Sequence, residues 1–116
     1  MRITENFDEF EFSCLCGCGF NIIDPRLVNR LQVVRDIVNI PIKIHSGCRC
    51  VNHNDDVGGE NGSLHLLGLA ADWSLEDGDS LLKKLCEKLI GNWSGGFHYY
   101  ELLNFVHTDI GKRRRW

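Results

Sequence analysis

Two isolated histidines and one aspartate carry the chemistry most readily read from this chain. In the stretch SLHLLGLAAD, from Ser63 to Asp72, a histidine and an aspartate stand seven positions apart in an otherwise apolar segment. A second isolated histidine, His107, lies in the strand-like segment NFVHTDI. Two imidazoles and one carboxylate make a three-ligand set for zinc. Three protein ligands with a fourth position left to water is the pattern of a catalytic zinc, whereas a closed structural site takes four. Taken singly, each residue has a plainer reading: a loop histidine, an ion-paired aspartate and a satisfied core histidine.

The cysteines form a second pattern. Cys14, Cys16 and Cys18 alternate, Cys48 and Cys50 alternate, and Cys86 stands alone. In a reducing compartment such clusters read as metal ligands or free thiols before they read as disulfides. Cys16 and Cys18, together with Cys50 and His53 in a Cys-x-x-His step, offer four donors for a structural zinc that would clamp the N-terminal segment to the loop around Arg49. A disulfide between the 14 to 18 and 48 to 50 clusters, and unpaired thiols acting as small apolar residues, are the competing readings.

These residues need elements to position them. DPRLVNRLQVVRDIV offers Asp24 as N-cap and Pro25 at the first helical position, with Leu27, Leu31, Val34 and Val38 at helical spacing and a stop near Asn39 and Pro41. PIKIHSG alternates as a half-buried strand does and ends at Gly47. HNDDVGGENGS reads as a turn or short helix running into a loop, and GLAADWS as a central strand. In DGDSLLKKLCEKLIGN, capping aspartates precede a helix with Leu81, Leu82, Leu85 and Leu89 on one face and a stop at Gly91. GFHYYE and NFVHTDI are aromatic and β-branched, and close enough to pair as an antiparallel hairpin. The order predicts one α+β domain over residues 1–116, with helices packed on an antiparallel sheet.

Composition narrows the class. A chain of 116 residues, 43% hydrophobic and 25% charged, has the make-up of an ordinary globular domain, and a monomer is expected. The net charge of -3 argues against nucleic acid as the main partner. The basic run Lys112-Arg113-Arg114-Arg115 reads as a solvated terminus. No apolar run approaches the ~20 residues that a bilayer span requires, so no membrane insertion is expected. The start, MRITENFDEFEF, lacks the apolar stretch of a secretory signal, so synthesis is expected to leave the protein in the cytoplasm.

Beyond single residues, Ser63-x-His65-x-x-Gly68-x-Ala70-x-Asp72 resembles the signature of the D-Ala-D-Ala carboxypeptidase-like zinc peptidases. That group includes vancomycin-resistance dipeptidases, phage endolysins, periplasmic murein endopeptidases and, distantly, the hedgehog signalling domain. SGCRC followed by HNDDVGG is similar to the group's SGxR segment and its HNxxVGG continuation, and FVHTDIGKRRRW resembles the FVHxDxG ending of the small murein-peptidase members. FSCLCGCG and the LVNRLQVVRD helix are similar to the short phage-type branch. The resemblance runs in order over nearly the whole chain.

The resemblance implies a hedgehog-like, D,D-peptidase-like fold and one catalytic zinc on His65, Asp72 and His107. It places Arg49 to grip a substrate carboxylate or a carbonyl near the scissile bond, and Ser63 to bond substrate backbone. Several relatives carry an acid three residues before the last ligand or a histidine two before it; here those positions hold Asn104 and Phe105. Strand periodicity puts Asp109 on the face of His107, where it serves as general base or orients the ligand, and Glu101 is the alternative base. His45 and His98 are lesser candidates for the cleft. The implied activity is hydrolysis of peptide bonds in peptidoglycan stem peptides, by a D,D-carboxypeptidase or an endopeptidase that reaches the wall by holin-type release or lysis. The alternative is a recognition module of the same fold that keeps zinc without turnover.

Overall fold

The computed structural model describes residues 1–76 and 79–116, with side chains described outside 77–80. Strands β1 (Arg2–Thr4) and β2 (Phe7–Asp8) form a small antiparallel pair, followed by a 3-10 turn over Glu9–Phe12. Next come helix α1 (Pro25–Val38), strand β3 (Ile42–Ser46), helix α2 (Val51–Asp56), a second 3-10 turn (Leu64–Leu67) and strand β4 (Ala70–Leu75). Helix α3 (Asp79–Leu89), strands β5 (Gly96–Tyr100) and β6 (Phe105–Asp109) and the short β7 (Arg114–Arg115) complete the chain. The five-stranded sheet runs β3-β4-β6-β5-β7. Its pairs are antiparallel except the last, where β7 lies parallel to β5. The architecture is α+β, as the order of elements predicts.

Helix α1 begins as its sequence dictates: the Asp24 side chain accepts from the Arg26 amide, Pro25 occupies the first turn, and Asn39 closes the helix in the left-handed conformation. Leu27, Val28, Leu31 and Val34 are buried. On α3 the core face is Leu82, Leu85 and Cys86, while Leu81 is exposed, so the apolar stripe sits slightly round from the expected one. The capping expected of Asp77 and Asp79 lies outside the described residues and side chains.

The sheet divides its side chains by strand alternation. Ala71, Trp73 and Leu75 of β4, Phe97 of β5 and Val106 of β6 join the two helix stripes in one core. Each buried Leu, Val or Phe side chain among them contributes about 1.5–3 kcal/mol. Trp73 is wholly enclosed, and its indole N–H donates to Thr108 Oγ1 at 3.0 Å, so its polar atom is not stranded. The alternate positions, Asp72, His107, Asp109 and His98, project to the other face. Ladder register therefore assigns the candidate chemistry to one side of the sheet and the core to the other.

The basic run does not end as a solvated tail. Arg113 and Arg115 donate to the Trp93 carbonyl, Arg115 also to the Ile90 and Gly95 carbonyls, and Arg114 to the Asp109 carboxylate. Carbonyls at the end of α3 and before β5 recruit these guanidiniums, and the Gly95 carbonyl also accepts the Arg114 amide at 3.4 Å.

Candidate metal centre and cleft

Asp72 and His107 are direct partners across the β4–β6 ladder, and His65 reaches the same point from the second 3-10 turn. The turn starts at Ser63, whose hydroxyl accepts from the His65 amide at 3.3 Å, and ends at Gly68 with φ 70°, a conformation glycine adopts without strain. Asp72 Oδ1 lies 3.0 Å from His107 Nδ1 and 3.3 Å from His65 Nε2. All three residues are buried. A zinc held at about 2.0–2.2 Å by nitrogen and carboxylate oxygen in a tetrahedron sets neighbouring donors about 3.3 Å apart, so the set fits that ion.

Each imidazole is oriented through its other nitrogen. His65 Nδ1–H donates to the Gly47 carbonyl at 2.7 Å, which leaves Nε2 toward Asp72. His107 Nε2–H donates to Asp109 Oδ2 at 2.8 Å, which leaves Nδ1 toward Asp72. In the neutral rings, pinning the outer N–H selects the tautomer whose lone pair faces the candidate metal position.

Asp109 is itself fully enclosed. Its Oδ1 accepts from the Gly96 amide at 2.8 Å and the Gly111 amide at 3.0 Å, and its Oδ2 from His107 and, at 3.3 Å, from Arg114. A Cβ at Gly96 would collide with this carboxylate, so the glycine makes the room. The carboxylate sits behind the His107 ring, on the far side from Asp72.

Electrostatics follow this geometry. Burial works against charge on Asp72, but in the metal-free molecule protonated His107 and His65 rings, which then donate to it and carry positive charge, outweigh burial and hold the carboxyl well below the usual range. Burial opposes ionisation of Asp109 too, yet His107 and the Gly96 and Gly111 amides bring it down to about 2. For His107, burial alone would lower the pKa; bonds to Asp109 and Asp72 reverse this and raise it above its ordinary 6.5.

Arg49 completes the inner wall. Its Nε donates to Ser46 Oγ at 3.1 Å, Nη1 to Asn54 Oδ1 at 3.2 Å and Nη2 to Asp72 Oδ2 at 3.3 Å. A guanidinium has five N–H groups, so these bonds fix its plane and leave two for the cleft. Arg49, Ser63, His65, Asp72 and His107 all line one open cleft of roughly 960 Å³, together with Glu60, Tyr100, Lys112 and Trp116.

The other sequence candidates fall elsewhere. Glu101 sits in the β5–β6 turn, 66% exposed, paired with Lys83 at 3.1 Å. His45 is exposed and bonded to Ser74 Oγ at 2.6 Å. His98 stands opposite His107 in the ladder and stacks on Trp116, whose ring also meets His107 edge-on with centroids 5.3 Å apart. Missed in the sequence were the Gly47 carbonyl, for which a backbone atom offers no signal, and the buried Asn54, which the HNDDVGG segment displays without revealing its role.

The model of the family described as Peptidase M15 matches residues 5–109, a span that takes in all three candidate ligands and Arg49. The chain belongs to the peptidase M15 family. Membership places this M15 chain among peptidases, and the His65, Asp72 and His107 group is its candidate metal centre. A search of curated proteins returned no match. Among the described residues, no helix is long and apolar enough to cross a membrane.

Proposed function

We propose that this M15 peptidase is a zinc-dependent hydrolase of peptidoglycan stem peptides, acting as a D,D-carboxypeptidase or an endopeptidase. The carrying observation is the convergence of His65 Nε2, Asp72 and His107 Nδ1 at the cleft wall, with both outer imidazole nitrogens pinned. When bound there, zinc supplies Lewis acidity and lowers the pKa of water to about 7.

The protein's own residues do the rest. Arg49, held in plane by Ser46, Asn54 and Asp72, turns its remaining N–H groups to the substrate, where a planar fork suits a carboxylate or a peptide carbonyl. The Ser63 hydroxyl lies on the cleft wall beside His65, placed to bond substrate backbone. Asp109 acts as a positioning residue: four donors occupy its oxygens and it faces the back of His107, which favours orientation of the ligand over proton abstraction from the attacking water. Glu101, at the exposed turn, has no part in this reading.

The test is digestion of purified peptidoglycan by zinc-loaded protein. New free amines that vanish with chelator support the reading, and mass analysis separates single D-alanine release from opening of cross-links. Stem peptide bound without turnover would make the protein a recognition module instead.

A further inference from the structure

Among the described residues a second set of metal-type donors lies where the N-terminal segment meets the start of α2. The sulfurs of Cys14, Cys16, Cys18 and Cys50 all stand within 4.8 Å of one another. Cys14 Sγ is 3.5 Å from Cys16 Sγ and 3.8 Å from Cys50 Sγ, and Cys16 Sγ is 3.7 Å from Cys50 Sγ. A disulfide requires about 2.0 Å, and all six cysteines are unjoined. Four thiolates at about 2.3 Å from one tetrahedral zinc stand about 3.8 Å apart, close to the spacings seen.

We propose that Cys14, Cys16, Cys18 and Cys50 hold a structural zinc distinct from the cleft site. Four protein ligands close the coordination sphere, which is the structural arrangement and leaves no position for water. The backbone is shaped to support negative sulfur. The Phe20 amide donates to Cys18 Sγ, the Cys50 amide to Cys14 Sγ and the His53 amide to Cys50 Sγ, each at 3.4 Å. Gly17 at φ 82° turns the chain between Cys16 and Cys18 in a conformation other residues resist.

This ligand set corrects the one expected from the Cys-x-x-His spacing. His53 contributes its amide to Cys50, its ring stays outside the cluster, and Cys14 takes the fourth place. Cys48 is also outside: its sulfur lies buried between the Phe20 carbonyl and the Ile22 amide. The consequence is mechanical. Cys50 follows Arg49 directly, and the Arg49 amide donates to the His65 carbonyl at 2.9 Å, so a metal tying residues 14–18 to Cys50 pins the loop that carries Arg49 into the cleft.

Cobalt(II) added to reduced, metal-free protein tests this through thiolate-to-metal charge transfer, a signal that His and Asp ligands do not give. The expected result is two equivalents bound, one with that signal. The signal should survive in the His65→Ala/His107→Ala double variant and in His53→Ala, and be lost in Cys16→Ser/Cys50→Ser. Because the cleft ligands are absent from the double variant, failure of the zinc-peptidase reading leaves this result standing. Should the serine variants not fold, alkylation of the parent decides: exposed Cys16 and Cys18 react in metal-free protein and become protected by zinc. No charge transfer in the reduced parent, a signal that depends on His53 in place of Cys14, or unprotected Cys16 and Cys18 at saturating zinc overturns the proposal.

Discussion

Asp72 Oδ1 lies 3.0 Å from His107 Nδ1 across the β4–β6 ladder, while the opposite nitrogen of the same ring lies 2.8 Å from Asp109 Oδ2. One imidazole is thus held between two carboxylates, one facing the cleft and one sealed behind it. That asymmetry gives the two aspartates different jobs.

In the proposed reading, the job of Asp109 is orientation. Asp109→Asn is expected to weaken zinc binding by about 10- to 100-fold, as loss of such a partner does, with activity largely restored at saturating metal. Zinc affinity and zinc-saturated turnover, measured on the same variant, check it. A fall in turnover of roughly 100-fold or more with zinc still bound would instead identify a general base.

Arg49→Lys keeps the charge but cannot hold Ser46, Asn54 and Asp72 together. Losing one charge-assisted hydrogen bond, about 1.5–3 kcal/mol, predicts a drop in kcat/KM of roughly 10- to 100-fold with zinc content unchanged. Activity within about threefold of the parent would mark Arg49 as a purely structural ion-pair partner.

Gly96→Ala drives a methyl group into the Asp109 carboxylate. An overpacked site costs about 1–3 kcal/mol, so a lower Tm is expected together with weaker zinc binding, since Asp109 must move off His107. Thermal unfolding with and without zinc separates the two effects. An unshifted Tm contradicts the tight fit at this position.

The raised pKa of His107 sets a pH dependence. In metal-free protein a proton on Nδ1 competes with zinc, so affinity should fall as pH drops through a value above 6.5, by about one decade per pH unit for one displaced proton. Asp72, held low, stays ionised throughout. Stability of the metal-free fold carries the opposite signs for the two partners. The His107 contribution is full below its unfolded value and is lost as pH rises through the folded one. The Asp109 contribution is present above its unfolded 3.8 and is lost as pH falls toward about 2. Chelator competition across pH 5 to 9 reads the zinc affinity, and denaturant unfolding carried from pH 9 down toward pH 2 reads both stability contributions; zinc affinity flat from pH 5 to 9 contradicts the first.

Much of this site was legible because its signals are local. Asp24 and Pro25 mark a helix start, and the alternation in NFVHTDI puts His107 and Asp109 on one face, as found. The convergence of His65, Asp72 and His107 was readable because a histidine and an aspartate are costly in an apolar segment without a task. What sequence could not display was direction. Asp109 shares the face of His107 yet points behind the ring, because the Gly96 and Gly111 amides offer it a better nest than the cleft does. Cys14 in place of His53 is likewise a matter of chain path, set where the N-terminal loop folds back on α2 and not by spacing within a motif. The arginine run gave only charge; its carbonyl partners appear once α3 and β5 are in place.

In the proposed reading, His65, Asp72 and His107 hold the zinc with which this M15 chain cuts stem peptides. The most direct measurement is amine release from purified peptidoglycan by chelator-stripped protein as zinc is added back, in the parent and in folded His65→Ala and His107→Ala. Zinc is expected to restore release in the parent and in neither variant. Release that persists in chelator, or that zinc restores equally in the variants, would contradict it.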